Sequence, residues 1–124
     1  MSVYKLEQRM RISLDIKPLS VNRAWQGRRY STPEKKRYEA MVHSQLPSAK
    51  IPGPYYRVDY KFFLIQFART DQQNLLKCLT DCFVRRGIIT DDRMIIDERI
   101  RKFPAAKDRI EVEIEGVRSY DRNS

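Results

Sequence analysis

Two stretches of the chain alternate strictly between apolar and polar residues, and this pattern constrains the fold more than any other feature. One stretch runs from Met10 to Lys17 and the other from Arg109 to Val117. Because successive side chains of a β-strand point to opposite faces of a sheet, each stretch predicts a strand with one buried and one solvated face. The buried faces require a second layer of structure to cover them.

Two predicted helices supply that layer. The first starts at Thr32, a capping residue, followed by Pro33, which fits the first helical position, and it ends at Pro47. The second spans residues 72–86, and Gly87 stops it. The apolar stripe expected to be buried on the first helix consists of Tyr38, Met41, Val42 and Leu46.

Two more strands are predicted, at Tyr55–Phe67 and Met94–Phe103. The order β-α-β-α-β-β indicates an α/β (α+β) fold, a mixed sheet with two helices, in one domain over residues 1–117, followed by a polar tail at 118–124. The segment Phe62–Ile65 is apolar on both faces, which favours a central strand or a subunit contact.

The chain is strongly basic. Its 124 residues include 25 Lys and Arg against 16 Asp and Glu, a net charge of +9 and a pI near 9.8. The first 50 residues hold 11 of the basic residues and only four acidic ones. Such a surplus attracts polyanions and favours a nucleic-acid partner over a basic protein without one.

Other features of the composition exclude several classes of protein. Cys78 and Cys82 are too few for a disulfide scaffold and lack zinc-ligand spacing with His43, the single histidine, so we interpret them as core thiols. The apolar runs are too short for a signal peptide or a membrane span. We therefore expect a cytoplasmic protein with neither a membrane partner nor a small-molecule cofactor.

The first candidate site lies between Arg69 and Lys77, where a strand passes into a helix. An aspartate and a lysine near a helix N-terminus, here Asp71 and Lys77, can meet a metal and a phosphate together, helped by free N–H groups of the helix end. The alternative is structural: Thr70 or Asp71 only caps the helix, and Lys77 pairs with Asp81 one turn later.

Two further segments carry candidate residues. Asp91 and Asp92 are adjacent carboxylates after a short apolar run, which suits a solvated turn or, together with Asp71, a Mg²⁺ site of hard oxygen ligands. The loop Pro18–Ser31 is basic and contains one tryptophan, so it fits a DNA contact or a solvated loop. The candidate DNA contacts are Asn22, Arg23, Trp25, Arg28 and Arg29 in this loop, with Arg69 and Asn74 at the first site.

These three segments, taken in order, resemble the RusA family of Holliday junction resolvases over roughly residues 9–117. The family has a Pro-x-Ser-x-Asn-Arg loop, then Asp-x-Asp-Asn-x-x-Lys, then a further Asp, a Gly and an Asp-Asp pair. The matching residues are Pro18, Ser20, Asn22 and Arg23; Asp71, Asn74 and Lys77; and Asp81, Gly87, Asp91 and Asp92. Each motif is modest alone, but the ordered set is fairly specific.

The resemblance implies a homodimer that binds four-way DNA junctions by shape and resolves them with two symmetric cuts, in a bacterial, prophage or phage setting. It implies Mg²⁺ as the metal, with Mn²⁺ as a substitute. Asp71 matches the family's first metal-binding aspartate, and Asp91 and Asp92 match its Asp-Asp pair, of which Asp92 is the last metal ligand. Lys77 matches the lysine that cleavage needs.

One position departs from the family. Gln73 stands where the family has its second carboxylate, two residues after Asp71, and a neutral oxygen should bind a hard dication less well. Three functions follow: an active junction endonuclease, a junction-binding protein that no longer cuts, or a basic accessory protein, for example for RNA, with structural acids. Asp71, Lys77, Asp91 and Asp92 favour the first of these, and Gln73 favours the second.

Overall fold

A computed structural model describes residues 4–26 and 30–120 of the chain. The strands are β1 (Tyr4–Leu14), β2 (Trp25–Gln26), β3 (Tyr30–Ser31), β4 (Tyr55–Leu64), β5 (Ile95–Pro104) and β6 (Arg109–Tyr120). The α-helices are α1 (Val21–Ala24), α2 (Pro33–Gln45) and α3 (Leu76–Arg86). Three short 3₁₀ turns lie at Phe67–Arg69, Gln72–Leu75 and Asp92–Met94.

The main sheet has four strands in the order β1-β6-β4-β5. Strand β6 runs antiparallel to both β1 and β4, whereas β4 and β5 are parallel and are connected through α3. A single domain with a mixed sheet and a few helices confirms the predicted fold class. The observed order also contains α1 and the two-residue pair β2 and β3, which the predicted order lacks.

One face of the sheet carries the core. Along β4, every second side chain is buried, from Tyr56 to Leu64. These side chains pack with the inner faces of β1 and β6 and with α2 and α3 in one apolar cluster. Full burial of one large apolar side chain stabilises a fold by roughly 1.5–3 kcal/mol, so this cluster is the main source of stability.

The opposite face of the sheet is open to solvent, and its charged side chains form ion pairs. Arg9 lies 2.7 Å from Glu115, and Arg11 lies 2.8 Å from Glu113. Arg101 pairs with Asp59 at 2.8 Å. Basic and acidic groups therefore neutralise each other across neighbouring strands on this face.

The outer strands are longer than their sequence patterns predict. Strand β1 begins at Tyr4, ahead of the predicted start at Met10, because its first residues pair with the end of β6 across register shifts near Leu6. Such shifts break the two-residue alternation on which the prediction depends. Strand β6 continues to Tyr120, inside the stretch assigned to a polar tail, and residues 121–124 lie outside the described part.

The apolar segment of β4 is explained by its central position. Phe62 and Leu64 are buried in the chain's own core, so they are not available as a subunit contact. Phe63 lies on the open face, stacked on Phe103 at 5.2 Å between ring centroids and covered by the Arg109 guanidinium. The strand ends at Leu64, earlier than predicted, and Ile65 is 60% exposed.

Helix α2 begins as predicted. The Thr32 hydroxyl accepts the backbone N–H of Lys35 at 3.1 Å, and Pro33 occupies the first position. Met41 was expected in the buried stripe, but it is 49% exposed, because only Tyr38 and Val42 of that stripe within the helix face the core. Leu46 is buried as the C-terminal cap.

The second predicted helix starts with a tighter turn. Its first four residues, Gln72–Leu75, form a 3₁₀ turn, and the α-helix α3 begins only at Leu76. Gly87 ends α3 with a φ of 82°, a left-handed conformation that glycine adopts without strain. On α3, both cysteines are buried and free, and burial raises the pKa of the Cys82 thiol to about 12. No helix in the described ranges is long and apolar enough to cross a membrane.

Candidate active site

The sequence-predicted site residues border the edge strand β5. Strand β5 contacts the 3₁₀ turn Gln72–Leu75, which Asp71 caps and which we call the Asp71 turn. At its N-terminal end, β5 follows the 3₁₀ turn Asp92–Met94, which Asp91 caps and which we call the Asp91 turn. The Asp71 turn also contacts α1, so the basic loop and the first candidate site are neighbours in the fold.

Asp71 is an exposed N-cap residue that uses one of its two carboxylate oxygens for capping. Its Oδ1 accepts the backbone N–H of Gln73 at 3.1 Å, and its carbonyl accepts the N–H of Asn74 at 3.1 Å. The alternative prediction, that Asp71 is a cap, is therefore confirmed. Because capping uses only Oδ1, the second oxygen remains able to bind a cation.

Gln73 does not follow Asp71 along an extended segment. Asp71 has extended backbone, with φ −88° and ψ 113°, and the chain then enters the 3₁₀ turn. Residues 71 and 73 therefore do not share a face as they would on a strand, because the chain turns between them. Gln73 itself is exposed, and Asn74 is half-buried.

Lys77 stands in the first turn of α3 and is mostly exposed. Its Nζ lies 3.9 Å from Asp81 Oδ2, one helical turn along. This is the structural pairing that the spacing predicted. An exposed pair at that distance is weak, typically below about 1 kcal/mol, so Lys77 is available to a phosphate.

The two adjacent aspartates have different surroundings. Asp91 is engaged by Arg93, which donates from its backbone N–H at 2.9 Å and from its guanidinium at 2.7 Å. These bonds hold the pKa of Asp91 well below its usual range. Asp92 is exposed at the start of the Asp91 turn. Because the Arg93 guanidinium already pairs with Asp91, Asp92 is the better candidate for a metal ligand.

Glu98 is an acidic residue beside Asp92 that sequence reasoning missed. It pairs in register with Val58, whose side chain is buried on the helix side of the sheet, so Glu98 lies on that side too. Partial burial raises the pKa of Glu98, and the neighbouring Asp92 carboxylate raises it further. The side of the sheet on which Glu98 lies depends on the register of β5 against β4, and a sequence pattern does not contain that register.

A buried tyrosine fixes the loop that leads into the Asp91 turn. The Tyr56 hydroxyl donates to the Ile51 carbonyl at 3.3 Å and accepts the backbone N–H of Thr90 at 3.3 Å. Next to this bridge, a groove of about 690 Å³ runs beside Asp91. Its lining residues are Lys50, Pro52, Gly53, Pro54, Thr90, Asp91 and Met94.

The basic loop contributes α1 to this side of the molecule. Asn22 and Arg23 are exposed on α1, and the Arg23 guanidinium lies 3.9 Å from Glu34. Arg69 is exposed on the 3₁₀ turn before Asp71. Arg28, Arg29 and the side chain of Trp25 lie outside the described residues.

The described side chains do not gather three potential metal ligands of the His, Cys, Asp or Glu type into one group. Carboxylates on two turns and on β5 nevertheless supply oxygen atoms of the kind that Mg²⁺ and Mn²⁺ bind. Mg²⁺ is commonly held by one or two carboxylates, waters and substrate phosphates. The donor chemistry is therefore of the kind that such an ion binds.

Fold, charge and site first define a class: a small basic α+β domain suited to a polyanion, with exposed aspartates on turns at one sheet edge. A family model described as endodeoxyribonuclease RusA matches residues 15–115, and this chain belongs to that family. Membership supports, in general terms, an endonuclease that resolves Holliday junctions, and it disfavours a basic accessory protein for RNA. A search of curated proteins finds no match to the chain.

Proposed function

We propose that this protein is a metal-dependent endonuclease that cuts four-way DNA junctions. The observation that carries the proposal is the RusA family match over residues 15–115, which spans every motif aspartate. The position of Asp71 and Asp92 on two turns that both adjoin β5 supports it, as does the net charge of +9.

The metal would be Mg²⁺, with Mn²⁺ as a substitute, held by Asp71 and Asp92. Asp91 is a weaker candidate ligand because Arg93 occupies it, and Gln73 offers only a neutral oxygen. Burial and, after it, Asp92 raise the pKa of Glu98, and a cation near the two carboxylates would lower it again. When bound, the ion would lower the pKa of a water and neutralise charge on the scissile phosphate.

The remaining residues bind and orient DNA. Lys77 is exposed on α3 close behind Asp71, where its charge would stabilise the negative charge that develops on the phosphate. Arg23 and Arg69 are exposed on segments flanking the Asp71 turn and would contact backbone phosphates. Such contacts position the junction without reading its sequence. Asn22, Asn74, Trp25, Arg28 and Arg29 complete the proposed DNA contacts.

Junction resolution needs two cuts related by symmetry, so we propose that the working form is a homodimer. With Phe62 and Leu64 buried in the core, the exposed Ile65 and the half-buried Phe63 remain as apolar contact candidates in that segment. Light scattering should give twice the monomer mass of 14.8 kDa. Only monomer, with and without junction DNA, would contradict the dimer.

The direct test uses a labelled synthetic four-way junction, with a linear duplex of the same sequence as the control. The protein should cut the junction in Mg²⁺ or Mn²⁺ and leave the duplex intact, and chelation of the metal should stop the reaction. Absence of cutting with either metal would reject the endonuclease.

A second candidate is a junction-binding protein that has lost cleavage. Gln73 in place of a carboxylate and the lack of a three-ligand group among the described residues favour it. It would bind the junction in preference to the duplex and release intact DNA at every metal concentration. A gel-shift assay run beside the cleavage assay separates the two candidates.

A further inference from the structure

Lys102 makes an unusual set of contacts near the end of β5. Its register partner is Phe62, which faces the helix side of the sheet, and the Lys102 ammonium reaches across that side. It donates to the Phe67 carbonyl at 2.8 Å and to the Thr70 carbonyl at 2.7 Å. The same Nζ lies 4.5 Å from the centroid of the Phe67 ring.

These contacts fix the backbone immediately before Asp71. The Thr70 carbonyl belongs to the same planar peptide unit as the Asp71 nitrogen and Cα. A strong bond to that oxygen therefore restricts the orientation of the peptide from which the Asp71 side chain projects. The Phe67 carbonyl lies at the other end of the same 3₁₀ turn, so one ammonium group clamps both ends of it.

The turn is otherwise held by its own hydrogen bonds and by the Phe67 side chain, which packs against the core. Its residues Ala68 and Arg69 are exposed, and its internal bonds include one from the Thr70 hydroxyl to the Gln66 carbonyl at 2.8 Å. Charge-assisted hydrogen bonds are about twice as strong as neutral ones. Lys102 therefore ties this exposed turn to the rigid sheet.

We propose that Lys102 is a positioning residue for the Asp71 carboxylate in metal binding. The proposal rests on the proposed function, in which Asp71 is a metal ligand. Groups that orient a metal ligand through a second contact typically change metal affinity by 10–100-fold when they are removed. Lys102 acts on the backbone of Asp71 and not on its oxygens, and we expect the lower end of that range.

The experiment measures Mn²⁺ binding to the full chain without DNA, by electron paramagnetic resonance of free Mn²⁺. Lys102→Met should raise the Mn²⁺ dissociation constant about tenfold, and Lys102→Arg should restore most of the affinity because its guanidinium can donate to both carbonyls. The matched control is Lys107→Met, which removes an exposed lysine paired with Asp15 and should leave the affinity unchanged.

Thermal unfolding of each variant separates positioning from general stability. If Lys102→Met melts earlier but binds Mn²⁺ like the parent, the positioning role is wrong. If Lys102→Met does not fold, Lys102→Gln gives the same comparison, since its shorter, uncharged side chain loses the charge-assisted bonds to both carbonyls. An affinity equal to the parent in that variant would likewise reject the role.

Asp71→Asn distinguishes failure of this inference from failure of the proposed function. Loss of Mn²⁺ binding in Asp71→Asn with parental binding in Lys102→Met overturns the role of Lys102 alone. Parental binding in Asp71→Asn, or no binding by the parent protein, overturns the proposed metal site and the role of Lys102 with it.

Discussion

At the scale of single residues, Gln73 is the clearest departure from the family motif. We predict that Gln73→Asp raises metal-dependent junction cleavage, most strongly at low Mg²⁺, because it adds an anionic oxygen near Asp71. The gain should be smaller with Mn²⁺, which binds comparable ligands more tightly. Cleavage rates across a Mg²⁺ titration measure it, and Gln72→Asp is the control, adding the same charge one residue earlier.

A rearranged site would give a different result. If Asp81, now 3.9 Å from Lys77, completes the carboxylate set, the added charge at position 73 would be neutral or harmful. A Gln73→Asp variant no faster than the parent at every Mg²⁺ concentration would show that the family motif does not transfer to this position.

Glu98 gives a second prediction at this scale. Burial and, after it, the Asp92 carboxylate raise the pKa of Glu98, so we predict that Glu98→Gln slightly stabilises the metal-free protein and reduces the stabilisation gained on adding Mn²⁺. Thermal unfolding with and without Mn²⁺ measures both effects. Glu111→Gln, a half-buried glutamate paired with Arg109, is the control and should leave the Mn²⁺ response intact. An unchanged response in Glu98→Gln would remove Glu98 from the site.

At the scale of elements, Tyr56 links the sheet to the Asp91 turn. We predict that Tyr56→Phe lowers the free energy of unfolding by about 1 kcal/mol, since it removes the hydroxyl that bridges Ile51 and Thr90. Junction cleavage should fall as well, because the loop into the Asp91 turn loosens. Urea denaturation measures the stability.

The chain offers a matched control in Tyr38→Phe. The Tyr38 hydroxyl is also buried, but it has no hydrogen-bond partner within the described part of the chain. Its removal should leave stability unchanged or raise it. Equal losses in the two variants would mean that the Tyr56 bridge contributes nothing specific.

Elements with a local signal were predictable from the sequence. The Thr32-Pro33 start of α2 and the Gly87 stop of α3 depend on neighbouring residues only, and both are confirmed. The start of β1 was not predictable, because pairing with β6 and not alternation decides it. Nor was the 3₁₀ geometry of Gln72–Leu75, which the Asp71 cap imposes on a helical pattern.

The candidate site, like the fold, was predictable from the sequence only in part. Motif spacing predicted Asp71, Lys77, Asp91 and Asp92 as site residues, and these assignments stay predictions. It did not predict that the Arg93 guanidinium occupies Asp91, because that contact depends on the local conformation of the turn. Glu98 and Lys102 were not predicted, because their positions depend on which residues of β4 they pair with. That pairing is a long-range property of the sheet.

At the scale of the whole molecule, the distribution of charge decides where DNA can bind. On the open face of the sheet, basic side chains are paired with acidic ones, whereas the surplus of positive charge lies mainly in the first 50 residues. We therefore predict that DNA binding is strongly salt-dependent and that the basic loop dominates it. Each DNA phosphate that the protein no longer neutralises should reduce the log–log salt slope by about 0.9 on duplex DNA.

Alanine at Arg23, Arg28 and Arg29 together tests this prediction. The matched control is alanine at Arg9, Arg11 and Arg109, which are paired on the open face and should leave the slope nearly unchanged. Fluorescence anisotropy with labelled junction DNA across a salt series measures the slopes. If the loop variant kept the parental slope, the loop would not bind phosphates.

The central claim is that the motif aspartates make this RusA-family chain a metal-dependent junction endonuclease. The most direct measurement compares single-turnover cleavage of a labelled four-way junction by the parent protein, Asp71→Asn and Asp92→Asn in saturating Mg²⁺ or Mn²⁺. The parent should cut the junction, and both variants should bind it with parental affinity while cutting at least about 100-fold more slowly. Parental cutting rates in both variants, or no cutting by the parent with either metal, would contradict the claim.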